Sequence, residues 1–153
     1  MKFNILKLIL VALIFISCKE EKESVKAAKV PEATQIAKSI RCYSYTKNND
    51  TIYLSYTELD DSFVDGNLTY KMFEKDSNRG SFKGKWIGDS LFADYEFQSE
   101  GSISTREIFF YKTDAGLIEG YGPVKDTLNK IIFQEHSTLV LNENILLKPV
   151  DCD

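Results

Sequence analysis

The sequence predicts an all-β domain, an antiparallel up-and-down meander closing into a barrel of about eight strands, and three observations predict it. From Gly66 to Gly122 apolar residues recur at alternate positions, the period that puts one face of a strand on a core and the other in water. Turn signals interrupt the pattern at near-regular spacing: Asp76-Ser77-Asn78, Gly88-Asp89, Glu100-Gly101 and Thr113-Asp114-Ala115. Phe and Tyr are abundant, 10 and 8 among 153 residues, which suits strands better than helices. A meander of seven or more strands has two edges to hide, and curling into a barrel removes both.

In chain order, Arg41 to Thr46 and Thr51 to Glu58 alternate around Lys47-Asn48-Asn49-Asp50, a turn-rich four that reads as a hairpin loop. Leu59-Asp60-Asp61 is a polar break. The third strand begins near Ser62, with a bulge or bend expected at Gly66, and carries Leu68, Tyr70 and Met72 on one face. Gly80 to Ile87 aligns Phe82, Gly84 and Trp86, and Ser90 to Ser99 aligns Leu91, Ala93, Tyr95 and Phe97. Ile103 to Lys112 ends in Ile108-Phe109-Phe110-Tyr111, and Gly116 to Gly122 follows. Gly84, Gly120 and Gly122 interrupt strand patterns, which marks strong bends or close approach of another segment. Beyond Pro123, short strands are expected at Lys130 to Gln134 and Thr138 to Leu141, then a turn at Asn142-Glu143-Asn144. A final strand, Ile145 to Val150, would close the barrel against the first.

Residues 1–17 stand apart from the fold. Lys2 and Lys7 flank a short n-region, and Leu8 to Ile16 is an unbroken apolar run. The run is shorter than the about 20 residues a bilayer span needs and has the length of a signal-peptide h-region. Phe15-Ile16-Ser17-Cys18 resembles the lipobox of bacterial lipoproteins, with Phe15 standing where Leu is usual. The resemblance implies diacylglycerol on the Cys18 sulfur, cleavage before Cys18, further acylation by chains such as palmitate, and an address in the cell envelope at the outer membrane. Lys19-Glu20-Glu21 resembles the export signal of some Gram-negative lipoproteins shown on the cell surface; a charged spacer without an address is the plain alternative. The chain then divides into a signal peptide at 1–17, a lipidated cysteine with a Lys/Glu/Ala-rich tether at 18–38, and a barrel domain at 39–153. As a flexible coil, about 20 tether residues reach roughly 25 Å.

Removing residues 1–17 takes out Lys2 and Lys7 and no acidic residue, so the formal charge of -4 becomes -6. An acidic body argues against nucleic acid and against electrostatic docking on anionic lipid. The membrane partner is therefore reached through acyl chains. With Cys18 assigned to lipid, Cys42 and Cys152 remain, and two remaining cysteines of an exported protein are more often paired than free. A Cys42–Cys152 bridge would staple the first strand to the last.

Little in the sequence carries chemistry. His136 is the one histidine, in the loop-like Gln134-Glu135-His136-Ser137, and no CxxC or G-x-S-x-G occurs, so neither a metal site, a cofactor nor a nucleophile with its base is expected. Asp94, Glu96 and Glu107 sit on adjacent strands, but Asp94 and Glu96 alternate with Ala93, Tyr95 and Phe97, which places them on the solvent face. Arg106 shares a face with Ile108 and Phe110; if that face is inward it needs a partner such as Glu74, Glu100 or Glu119, and it either fixes barrel geometry or holds a ligand's anionic group. Trp86, Tyr95, Phe97 and Tyr121 fill the core or line a cavity for a small apolar ligand. Asp50-Thr51-Ile52, Asp89-Ser90-Leu91 and Asp126-Thr127-Leu128 resemble the Asp-Ser/Thr-aliphatic O-glycosylation sequon of some Gram-negative bacteria, which makes Thr51, Ser90 and Thr127 candidate acceptors beside their ordinary use as turn residues.

The expected function is a non-enzymatic, membrane-anchored envelope lipoprotein binding a small molecule or a protein. The body is similar in outline to calycin-type small barrels. Barrel lipoproteins that inhibit lysozyme are similar in size, anchoring and terminal cysteine placement, although their Ser-Gly and Lys-Gly loop pattern is not evident here; a hydrolase inhibitor is the alternative, and a hydrolase comes third for want of a base. A formed interior cavity would favour a ligand carrier, a flat core with a protruding polar loop an inhibitor, and clustered inward carboxylates an enzyme.

Overall fold

The computed structural model describes residues 39–152. The expected signal peptide, lipidation at Cys18 and tether lie outside the described residues. Among those described, the chain forms ten strands: β1 (Ile40–Lys47), β2 (Asp50–Glu58), β3 (Phe63–Lys71), β4 (Asn78–Ile87), β5 (Ser90–Ser99), β6 (Ser102–Thr113), β7 (Gly116–Tyr121), β8 (Val124–Asp126), β9 (Ile131–Phe133) and β10 (Val140–Val150). Strands β1 to β7 pair antiparallel with their chain neighbours, and β10 lies between β7 and β1. The ring so formed is a closed antiparallel barrel of eight strands, as the alternation predicts. Strands β8 and β9 stand outside the ring as a small hairpin, tied to it where Ile131 bridges Arg106 of β6 in parallel.

Turn chemistry sets the registers. Asn48 and Asn49 take positive φ of 51° and 69°, so the first hairpin needs only these two residues between the paired Lys47 and Asp50. Asparagine tolerates that conformation better than most residues, and two positive-φ positions give a turn whose twist matches the strands. Glu100 and Gly101 (48° and 81°) do the same between Ser99 and Ser102.

Three sequence expectations are corrected. Gly66 makes no bulge: pairing runs unbroken from Thr51↔Lys71 to Glu58↔Val64. Its missing side chain serves close approach instead, since a Cβ there would lie 2.7 Å from the Phe82 ring and 2.2 Å from the Ser55 carbonyl oxygen. The expected strand at Thr138 to Leu141 and the one at Ile145 to Val150 are a single strand, β10, whose register against β7 shifts between Leu141 and Leu146. The Asn142-Glu143-Asn144 signal thus marks an irregularity within a strand. The segment at Lys130 to Gln134 contributes β9, which is not a barrel strand. Close approach at Gly120 is as expected: a Cβ would meet the Phe109 ring at 2.3 Å.

The interior is packed with side chains. Leu54, Leu68, Leu91, Tyr95, Phe110, Leu117 and Leu147 are fully buried, with Tyr43, Ile52, Tyr56, Val64, Tyr70, Phe82, Ala93 and Ile108 joining them in one cluster. Each such apolar side chain contributes about 1.5–3 kcal/mol on burial. The Cys42–Cys152 disulfide is formed, with a Cα–Cα separation of 5.4 Å. It holds the chain beyond β10 against β1 at the seam where the barrel closes, where only Cys42 to Ser44 pair with Lys148 to Val150 among the described residues.

Candidate functional site

Period-two geometry carries one charged cluster into the barrel. Strand β7 alternates Leu117, Glu119 and Tyr121 inward; Leu117 is fully buried, so Glu119 two positions on enters the same interior. It is 2% exposed and the single buried charged residue among those described. Facing it, β3 supplies Tyr70, whose hydroxyl donates to Glu119 Oε1 at 2.6 Å, and Tyr121 donates its own hydroxyl to Oε2. Burial pushes the Glu119 carboxyl above its usual range, while the two tyrosine hydroxyls and the Arg106 cation hold it down. Burial also raises the Tyr70 and Tyr121 phenols, and the Glu119 charge adds to this.

Arg106 enters from β6, directly opposite Tyr95 of β5. Its guanidinium carbon lies 5.2 Å from the Tyr70 ring centroid, 5.5 Å from Phe97 and 5.7 Å from Tyr95, a cage of three aromatic faces. Such contacts contribute about 0.5–2 kcal/mol each, more as water is excluded. Its Nε is buried without a hydrogen-bond partner, a state that costs about 1–3 kcal/mol. Glu119, one of the partners considered from sequence, is held down by the Arg106 charge. Tyr95 is fixed beneath by a buried hydrogen bond from its hydroxyl to the Leu68 carbonyl at 2.8 Å, and desolvation raises its phenol to about 12. The cluster sits toward the end of the barrel formed by the β3–β4 and β5–β6 connections, and Arg106 itself is only half-buried.

On the outer wall a second polar constellation has a structural use. Glu107 accepts from the Phe133 backbone N–H at 2.9 Å through Oε2 and pairs with His136 Nε2 at 2.9 Å through Oε1. The His136 ring stacks on Phe92 at 4.3 Å, and Phe92 in turn stacks on Phe109 at 4.9 Å. Lys130 reaches both oxygens of Asp94 at 2.7 Å. Together these bind residues 130–136 across β5 and β6 as a strap. Asp94 and Glu96 point outward, as alternation predicts; Glu107, paired with Asp94 across β5 and β6, lies on the same outer face, but the strap covers it, leaving its side chain 15% exposed. His136, taken alone in sequence, looks like a free surface residue; here it is an anchor of the strap.

Of the residues singled out from sequence, Arg106, Tyr95 and Tyr121 converge on the Glu119 cluster. Trp86 does not: it packs 6.0 Å from the Tyr56 ring, near the β4–β5 turn at the other end, and its Nε1 is buried without a partner. Thr51 is the second residue of β2 and Ser90 the first of β5, both partly buried, whereas Thr127 is exposed with its hydroxyl bonded to the Lys130 carbonyl at 2.6 Å. Tyr70 lies on the Leu68-Tyr70-Met72 face that alternation marks in the sequence, whereas the place of Glu119 on the inner face of β7 is marked only by its spacing from Leu117. Outside the barrel, a groove of about 280 Å³ runs between Phe63, Lys85 and Phe92 on one side and Lys83, Asp94 and Glu107 on the other.

Set against protein-family models, curated proteins and solved structures, the chain finds no match. Fold and site define it by class: a small disulfide-stapled antiparallel barrel with a charged, aromatic-caged cluster at one end.

Proposed function

We propose that this chain is a non-enzymatic, lipid-anchored lipoprotein of the bacterial envelope, tethered at the outer membrane through acyl chains on Cys18, whose barrel binds a small molecule at its Arg106 end. The observation that carries the export reading is the Cys42–Cys152 disulfide, because such bonds persist in oxidising compartments outside the cytosol. Binding at the Arg106 end is supported by a half-buried cation whose Nε has no partner beside a buried carboxylate. A non-enzymatic role is supported by His136, whose Nε2 and ring face are both used to hold the strap. Intact mass of the protein purified from its native membrane tests the reading. The expected mass is that of a chain from Cys18 plus acyl groups, gaining two protons on reduction. A full-length chain without acyl groups would overturn it.

A second reading is a protein partner, such as a hydrolase that the barrel inhibits. The outer groove beside Phe63, which is 48% exposed, favours it, because an outward aromatic ring flanked by charges suits a protein interface. Co-purification of a stoichiometric partner lost on Phe63→Ser would support that reading.

A further inference from the structure

We propose that the Arg106 end of the barrel is a site for a small organic monocarboxylic acid with an apolar body, and that its binding is coupled to uptake of a proton by Glu119. The inference rests on the reading of this end as the binding site and names its ligand class.

Four observations lead to the carboxylate. Arg106 offers a planar guanidinium, a group suited to carboxylates, and its Nε is buried without a hydrogen-bond partner. Three aromatic faces hold it from Tyr70, Tyr95 and Phe97, so its orientation is set before a ligand arrives. A buried carboxylate, Glu119, stands close enough to feel its charge, which disfavours a ligand of more than one negative charge. The cation is reachable, being only half-buried, whereas the interior beyond it is closed by Leu68, Tyr95 and Phe110, each 0% exposed.

The apolar body follows from the rim. Register places Tyr45, Met72 and Phe97 around this end, all partly buried against the core, while Tyr121 and Val140 pair at the lip and are 43% and 70% exposed. A closed interior and an apolar rim suit an acid with its carboxylate inward and its apolar body across the rim.

Proton coupling follows from the neighbours of Glu119. Titratable groups meet it from Tyr70 on β3, Tyr95 on β5, Arg106 on β6 and Tyr121 on its own strand. Arg106 is the only cation of that set, and it favours the ionised form. A ligand carboxylate on Arg106 neutralises that help and adds a like charge, so Glu119 takes a proton from solvent and the net charge of the cluster is kept. Reciprocity then makes the acid bind more tightly as pH falls through the Glu119 transition.

Benzoate is a suitable probe. The protein purified from its native membrane in detergent is titrated calorimetrically with benzoate, benzamide and inorganic phosphate, in two buffers of different ionisation enthalpy, with micelles alone as the blank. Benzoate is expected to bind with net proton uptake, at least about 10-fold more tightly than benzamide or phosphate. Arg106→Gln should weaken benzoate by about 10- to 100-fold. Glu119→Gln, which removes the carboxylate competing for Arg106, should bind benzoate more tightly than the wild type at neutral pH and lose the buffer-dependent heat. The proposal is overturned by a wild-type protein that ignores benzoate or takes benzamide equally well, or by Arg106→Gln binding undiminished. Should Arg106→Gln fail to fold, Glu119→Gln still decides, because full proton uptake in that variant overturns the coupling. No benzoate binding on a chain whose mass carries acyl groups removes the ligand class and leaves the anchored barrel standing; binding by a chain without them does the reverse.

Discussion

The Tyr70 hydroxyl donates to Glu119 across the barrel interior, 2.6 Å apart in space and 49 residues apart in sequence. The bond joins β3 to β7, strands that are not neighbours in the sheet, so it crosses the core. A carboxyl buried this deeply is tolerated because both oxygens accept hydrogen bonds. Its proton affinity is still raised, with burial the largest cause.

That displacement gives a pH dependence of stability with a defined sign. The folded chain holds the Glu119 proton to higher pH than the unfolded chain, whose carboxyl titrates near 4.5. The contribution is present in full below 4.5 and is lost as pH rises through the folded value. Each tenfold difference in proton affinity corresponds to about 1.4 kcal/mol. Urea midpoints measured from pH 4.5 to 8 should therefore fall more steeply for the wild type than for Glu119→Gln. Equal slopes would show that Glu119 does not titrate differently in the two states.

The phenols predict the alkaline limb. Tyr56, Tyr70, Tyr95 and Tyr121 are all raised, mainly by burial, with Tyr95 at about 12. A raised phenol contributes stability that is present below its ordinary value near 10 and lost above it. In a spectrophotometric titration, these four should stay protonated above pH 10 and should appear only in the transition that unfolds the chain. A single phase near pH 10 that counts every tyrosine would contradict the buried cluster.

The staple should matter most at the barrel seam. The disulfide closes a separation of 110 residues and backs a β1–β10 pairing of three residue pairs. Cys42→Ser with Cys152→Ser is expected to lower unfolding free energy by about 2–5 kcal/mol, the common range for a native disulfide in a small secreted domain. Hydrogen exchange should then rise first in β1 and β10, with β3 to β5 protected longest. A uniform rise would mean that the seam opens only with the whole barrel.

Much of this was legible in residues, and the part that was not has a physical reason. Alternation marks the inward faces of β4 and β5 because tight turns at Gly88-Asp89 and Glu100-Gly101 leave the register no freedom. Odd cysteines out, Cys42 and Cys152, predicted the closing pair of strands. The irregularity in β10 was hidden because Asn142-Glu143-Asn144 has the composition of a turn whether the chain reverses or only shifts register. Partners of Glu107 were hidden more deeply. Phe133 and His136 lie 26 and 29 residues away, and nothing local marks an outward carboxylate for covering by a later segment.

The strap provides the last test, because its two attachments differ in kind. Lys130 and Asp94 form an exposed ion pair, with side chains 36% and 52% exposed, and such pairs contribute about 0–1 kcal/mol. Glu107 is largely covered, accepts a backbone N–H and a ring nitrogen, and lies beside the Phe92–His136 stack. Lys130→Ala should thus leave the strap in place. Glu107→Ala strands the Phe133 N–H and removes the His136 bond, so exchange at the Phe133 amide should rise about 10- to 100-fold, as for a segment released into local opening. The urea midpoint of the barrel should move little in both variants, since the strap lies outside the ring of eight strands. If Lys130→Ala released Phe133 as fully as Glu107→Ala, the exposed ion pair and not the covered carboxylate would be what fastens residues 130–136 to β5 and β6.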